Sequence, residues 1–417
     1  SFKNKYVEGL IDNYAIYQDI LTTSNKTHNY TLTAWIDESY DLPIKNETTT
    51  TKETNQETYK FKVKVVGVDT PITIKEGVST SVTGIASQVL PTLTSNVDDS
   101  GLYTITHAKD STLQIGTNED ITEYRYRGAS PKNYVTFNNE VWRVLGVFPV
   151  DDGTGKIENR IKLIRNESIG DYYWNNCTDA NNDRICDDTN KAMNDWTGAT
   201  LNTYLNETYL NSINNTSKSL ISNTKYYLGG LGAEEATEES IIKAYQTTGV
   251  QLYSYERKIQ NGNCSYNSDA DGYIGTECYY YGTNPNSWTG KIGLMYSSDY
   301  FYASENCENK MMGDVTDESE EILPSRKDIM ACNDTNWLNT LSVPEWLLTP
   351  LTFINKAVLA LEMEGYVSLY IGAVDMNGYT YNDEKYYFSS RPVLYLTSNV
   401  QITGGSGTSS SPYTLGL

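Results

Sequence analysis

Histidine is almost missing from this chain: two in 417 residues, His28 and His107. A histidine general base or a histidine-rich metal centre therefore has little to draw on. GxSxG, HExxH and phosphate-loop patterns are missing as well, so the chain reads as a non-enzyme. Carboxylate pairs for glycoside hydrolysis stay open, because 53 acidic residues always bring some pair within reach. Basic residues are in deficit, 32 Lys and Arg against those 53, for a net charge of −21. That balance argues against nucleic acid and anionic membranes as partners, since both need basic patches. No apolar run reaches the roughly 18 residues of a spanning helix, so no membrane insertion is expected. The chain opens at Ser1 with neither Met nor a secretory leader, which reads as a processed N-terminus or the start of a fragment.

Phenylalanine is scarce and tyrosine abundant, 7 against 35, a usage that suits strands with one wet face. The 6 cysteines fall into local pairs: Cys177 with Cys186, Cys264 with Cys278, and Cys307 with Cys332. An even count and short loops favour disulfides and an oxidising compartment. Thiolate metal binding is the competing reading, but no Cys-x-x-Cys exists. If all six pair, none remains as a reactive thiol. Sequons at Asn25, Asn29, Asn46, Asn166, Asn206, Asn215 and Asn333 mark glycosylation acceptors, though a chain this rich in Asn and Thr forms many by chance.

The organising stretch runs from Tyr134 to Arg165. Tyr-Val-Thr-Phe, an Asn138-Asn139 turn, Val141 to Phe148, an Asp151 to Gly155 turn and Arg160 to Arg165 predict an antiparallel meander. Its middle strand is apolar on both faces, Val141, Leu145 and Val147 against Trp142, Val144 and Phe148, and so belongs inside a covered sheet. Leu102 to Leu113 and Tyr124 to Arg127 are further strands. Trp196 to Ile213 follows a 3.6-residue period through Leu201, Tyr204, Leu205, Thr208, Tyr209, Ser212 and Ile213, a helix with Asn194 or Asp195 as N-cap. Glu234 to Tyr245 and Pro324 to Met330 read as helices, Thr289 to Tyr296 and the Trp346 segment as strands. The C-terminus reads as a meander of Ala357 to Leu361, Val367 to Ile371, a turn at Asn377-Gly378 and Arg391 to Leu396, with Pro412-Tyr-Thr-Leu pairing back at an edge. The expected class is α+β: a β-sandwich-like module over 1–68, a linker over 69–100 with one short helix or strand, and a large mixed domain over 101–417.

In the first module, Asn29 to Asp37 alternates, setting Tyr30, Leu32 and Ala34 against Thr31, Thr33 and Trp35. Tyr59 to Val68 alternates apolar residues with lysine, placing Tyr59, Phe61 and Val63 on one face. The pattern Tyr-Thr-Leu-x-x-Trp-Ile-Asp followed by Tyr-Lys-Phe-Lys-Val resembles the last strands of the camelysin-like sandwich of bacterial biofilm-fibre subunits. A sandwich needs about seven strands, and this module supplies fewer. The missing part is absent, compactly rebuilt, or donated by another chain. The N-terminal segment, with Phe2, Tyr6, Leu10, Ile11, Tyr14 and Ile16, is the natural donor; folding back into its own small sheet is the alternative.

The large domain resembles a module of secreted proteins from Gram-positive gut bacteria and wall-less relatives. The resemblance rests on Arg125 to Arg143, Lys162 to Ser168, Trp288 to Tyr300, Trp346 to Pro350 and Arg391 to Val400. More remotely it is similar to the C-type-lectin-like and formylglycine-generating-enzyme fold. The resemblance implies a surface or secreted role with no assigned chemistry.

Two Asx-rich loops have the alternating oxygens that calcium takes from a tight loop. The first offers Asp179, Asn181, Asp183 and Asp187, with Asp188 next to them. The second offers Asn267, Asp269 and Asp271 with Gly272 as turn glycine and Glu277 as closing carboxylate. Each is bracketed by its own cysteine pair, and an ordinary Asx turn that binds nothing is the competing reading. Trp174, Trp196, Trp288 and Trp346 are core residues or sugar-stacking platforms. The chain is thus expected to be a secreted structural subunit on the bacterial cell surface, assembling with copies of itself. A monomeric adhesin for host or matrix glycans or protein is the alternative, and a hydrolase a distant third.

Overall fold

Asn138 and Asn139 both take the left-handed conformation, with φ of 56° and 59°. Two such residues in succession form the tight turn whose twist matches a hairpin. Around that turn, residues 100–416 are described in a computed structural model, except 179, 182–184, 189–190, 234, 236–245, 260–263, 269–271, 276–277, 283, 306, 312–331, 341–342, 354, 362–366 and 371–387. The leading strands are β1 (Gly101–His107), β2 (Ile121–Arg127), β3 (Tyr134–Phe137), β4 (Glu140–Asp151) and β5 (Ile157–Arg165). β3, β4 and β5 form the expected antiparallel meander.

β4 is the spine of a nine-stranded sheet. It pairs with β5 along its length, while its other side is shared between β3 and β2. The change of partner falls at a register shift between Val144 and Gly146. A Cβ on Gly146 would lie 2.0 Å from the Tyr124 carbonyl oxygen, so only glycine lets β2 come so close. The side chains of β4 from Trp142 to Val150 are buried, as a doubly covered strand requires. Val141 departs from that expectation at 43% exposure. It pairs with exposed Thr136 beside the hairpin turn, where the cover ends.

Beyond β5 the sheet continues through Val393–Tyr395 to Ile292–Gly293, and beyond β3 through Tyr413–Gly416 to Gln401–Gly404. The Pro412-Tyr-Thr-Leu segment therefore does not sit at an edge. It runs parallel to β3 and antiparallel to Gln401–Gly404, so it is paired on both sides. The expected single strand from Thr289 to Tyr296 is also two pieces. Ser287–Gly290 pairs with Thr224–Tyr227, whereas Ile292–Gly293 crosses to Val393–Tyr395. A second, five-stranded sheet is ordered Val367–Tyr370, Val358–Leu361, Glu345–Pro350, Phe388–Ser389 and Asp171–Tyr172.

The expected helix after Trp196 is present but irregular. Asp195 caps a 3-10 turn at Trp196–Gly198, its Oδ1 accepting from the Thr197 amide at 2.8 Å. Thr200–Thr203 then leads into a wider π-type turn at Tyr204–Tyr209, closing at Leu210–Ser212. Leu201, Leu205, Tyr209 and Ile213 face the core, while Thr208 and Ser212 lie outside. Among the described residues three α-helices lie outside the sequence expectations: Asn215–Ser219, Gly249–Glu256 and Ser297–Tyr302. The architecture is α+β, mostly sheet, around a main core that includes Trp142, Trp174, Trp196 and Trp346, with a small second cluster of Ile115, Ile121 and Tyr227. The expected helices at 234–245 and 324–330, the turn at Asn377-Gly378, the module at 1–68 and nearly all of the 69–100 linker lie outside the described residues.

Candidate functional site

All three expected disulfides are formed, with Cα–Cα distances of 5.4, 5.5 and 5.8 Å, and no free cysteine remains. They fit an oxidising environment. Among the described residues no helix is long and apolar enough to cross a membrane.

The proposed calcium loops are only partly in view. Asp179, Asp183, Asp269, Asp271 and Glu277 lie outside the described residues. Asn181 and Asp187 are exposed, and Asp187 Oδ2 accepts from the Ala180 amide, seven residues earlier, at 2.7 Å. Asn267 ends the Ser265–Asn267 strand opposite Gly272. Gly272 has a reason to be glycine that owes nothing to a metal: a Cβ there would stand 1.8 Å from the Phe353 carbonyl oxygen. Among the described residues no three His, Cys, Asp or Glu are grouped to hold a metal ion. Trp174, Trp196 and Trp346 are buried in the core, and Trp288 is half-buried with its ring 6.2 Å from that of Trp196. The assembly residues Phe2 to Ile16, Tyr30, Leu32, Tyr59, Phe61 and Val63 lie outside the described residues.

The densest chemistry is elsewhere, in a charged cluster under the main sheet. β2 reads Ile-Thr-Glu-Tyr-Arg-Tyr-Arg, and its alternation turns Glu123 and Arg125 to the same buried side. Arg125 donates through Nε to Glu123 Oε2 at 2.8 Å and through Nη1 to Asp299 Oδ1 at 2.9 Å. Lys162 on β5 donates to Asp299 Oδ2, which also accepts the Tyr296 amide at 3.1 Å. Glu123 Oε1 accepts from the Tyr253 hydroxyl at 3.0 Å, and His107 lies 3.2 Å from Oε2 with its ring stacked on Tyr253 at 3.7 Å.

A second carboxylate sits at the end of the Gly249–Glu256 helix. Glu256 takes Arg257 Nη1 at 3.1 Å, the Ser298 amide at 3.1 Å, the Ser298 hydroxyl and Thr349 Oγ1 at 2.9 Å. Three acids (Glu123, Glu256, Asp299) thus meet three bases (Arg125, Lys162, Arg257), all essentially buried. Aromatic rings fill the space between them. Arg125 lies 4.6 Å from the Phe148 ring centre and 4.7 Å from that of Tyr302, while Arg257 stacks over Tyr253 at 3.7 Å. Ring faces attract the cations electrostatically, while Arg125 Nη2 has no hydrogen-bond partner among the described residues.

Burial and charge oppose each other here. Burial pushes the Glu123 carboxyl up, but Arg125 and His107 outweigh it and hold it well below the ordinary carboxylate value. Asp299 is likewise pushed up by burial and brought below its usual value by Lys162 and Arg125. Burial lowers the Lys162 ammonium despite Asp299 beside it. Glu256 is the exception: burial dominates and its carboxyl is raised.

Other motif residues turn out to be braces. Arg143 donates through Nε to Asn133 Oδ1 at 2.6 Å and lies flat over Tyr134 at 3.8 Å. Arg391 and Glu345 form a two-pronged pair joining the segment before Val393–Tyr395 to the second sheet. A small pocket lined by Asn194, Asp195, Trp196 and Asn284 has room for about one water.

Sequence reasoning missed the charged cluster, although two signals pointed to it. The Glu-x-Arg-x-Arg alternation of β2 and a lysine between Ile161 and Leu163 both place charge where a core face belongs. Compared with protein-family models, with curated proteins and with solved structures, the chain finds no match.

Proposed function

We propose that this protein is a secreted structural subunit of an extracellular filament or matrix fibre, whose large α+β domain is displayed rather than catalytic. The supporting observation is how the domain is braced. Three disulfides close local loops, and an ion-paired cluster crosses its interior from β2 and β5 to the Ser297–Tyr302 helix. Covalent loop closure resists unfolding outside the cell, where no chaperone repairs the chain. The alternating segments at 30–36 and 59–68, which the sequence reads as strands resembling those of biofilm-fibre modules, would add an edge for another chain's strand to complete. A contact of that kind is head-to-tail and propagates instead of closing. Calcium at the Asx-rich loops, through Asp269, Asp271 and Glu277 above all, belongs to the same reading as a further brace.

Negative-stain microscopy of the full, oxidised chain across a concentration series tests the proposal. Filaments that lengthen with concentration are expected. A particle that stays monomeric throughout refutes it and favours the adhesin reading, with host or matrix glycans as ligands.

A further inference from the structure

Lys162 is the one fully buried lysine among the described residues, and it touches a carboxylate directly. Its side chain is 1% exposed and that of Asp299 0%, so no bulk water separates amine from carboxyl. The ring centres of Tyr296, Phe148 and Tyr395 enclose Nζ at 4.6, 5.4 and 5.4 Å. The remaining Asp299 contacts are Arg125 Nη1 on Oδ1 at 2.9 Å and the Tyr296 amide on Oδ2 at 3.1 Å.

From this arrangement we infer that Lys162 and Asp299 form an intramolecular isopeptide bond between Nζ and Cγ. Nothing beyond the two side chains is consumed. A proton passes from the Nζ ammonium to Oδ2, and the lone pair so freed closes on Cγ. The Cγ–Oδ2 bond then breaks, and Oδ2 leaves as water carrying two protons given up by Nζ. Oδ1 remains as the amide oxygen facing Arg125. The products are one amide and one water, with no change of oxidation state.

Each element of the pocket has a part in this step. Direct contact in a dry site replaces an encounter between amine and acid by a fixed approach. Burial, which lowers the Lys162 pKa, reduces the cost of presenting a neutral amine. Arg125 opposes protonation of Asp299 in the starting pair. Once the nitrogen has attacked, Oδ1 carries the negative charge, and the guanidinium at 2.9 Å stabilises it. Loss of water from a site closed by aromatic rings then favours the amide over its hydrolysis. The bond would tie β5 to the Ser297–Tyr302 helix across a sequence separation of 137.

The inference is independent of the filament reading, because the bond lies within one chain. Intact mass spectrometry of the full, disulfide-reduced protein is the test. The expected mass is one water below that of the sequence, with a tryptic species joining residues 161–165 to residues 292–310. Asp299→Asn keeps an amide carbonyl that Nζ can attack, releasing ammonia, so its linked product matches linked wild type in mass. Asp299→Ala has no leaving group and is expected at its own sequence mass. A wild-type protein at full sequence mass overturns the inference. So does a water deficit whose digest yields the two peptides separately, as a succinimide at Asp152-Gly153 would give, or a deficit that persists in Asp299→Ala.

Discussion

Arg391 grips Glu345 with both prongs of its guanidinium, Nε to Oε1 at 2.8 Å and Nη2 to Oε2 at 2.6 Å, while Nη2 also reaches the Leu338 carbonyl at 3.1 Å. Their side chains are 2% and 1% exposed. Removing one partner leaves the other charge buried without compensation. Arg391→Leu should therefore cost about 3–5 kcal/mol. Urea unfolding that shows a loss below about 1 kcal/mol, the range of exposed ion pairs, would contradict this account of the motif.

Glu123 contributes to the acid limb of the stability curve. Its carboxyl is held below its ordinary value of 4.5 when folded, so unfolding takes up a proton as the pH falls. The contribution is complete above the ordinary carboxylate range and is lost as the pH drops through the folded pKa. Glu256, raised by burial, acts in the opposite sense, and comparison with a variant cancels its effect. Glu123→Gln should be less stable near neutrality and show a shallower decline from about pH 5 to pH 2. Parallel curves for the two proteins would show that Glu123 does not carry the acid sensitivity.

The disulfides should rank by loop length. Sequence separations of 9, 14 and 25 residues correspond to chain-entropy losses in the unfolded state of roughly 2.6, 3.0 and 3.5 kcal/mol. Replacing the Cys307–Cys332 pair by alanines should then lower stability most, and Cys177–Cys186 least. The reverse order in matched denaturation experiments would assign their effect to the folded state.

How much of this was legible in the sequence depended on range. The β3–β4–β5 meander was readable because Asn138-Asn139 and the Asp151 to Gly155 turn are local, and the helix after Trp196 because its period is local. The Gly249–Glu256 helix carried a local mark too, the Thr248–Gln251 capping box, in which the Thr248 amide donates to Gln251 Oε1 at 2.9 Å. The charged cluster is only half legible: the alternation of β2 and the lysine between Ile161 and Leu163 put charge on core faces. Which groups answer that charge is not local, because Glu123, Lys162, Glu256 and Asp299 meet only through pairing and packing between distant segments. The split of Thr289 to Tyr296 into two strands has the same origin: its apolar pattern is continuous, but its partners are not.

Calcium should stabilise the Asx-rich loops. An ion bound only by the folded chain raises its melting temperature through mass action, so EDTA should lower it and added calcium restore it. An unchanged transition, with no metal found by elemental analysis, would assign both loops to ordinary Asx turns.

Assembly through the first module is tested most directly by removing its donor. Sedimentation velocity on the full chain and on a variant lacking residues 1–21 should give polymers for the first and a folded monomer for the second. A truncated chain that still polymerises would contradict strand exchange through Phe2 to Leu21.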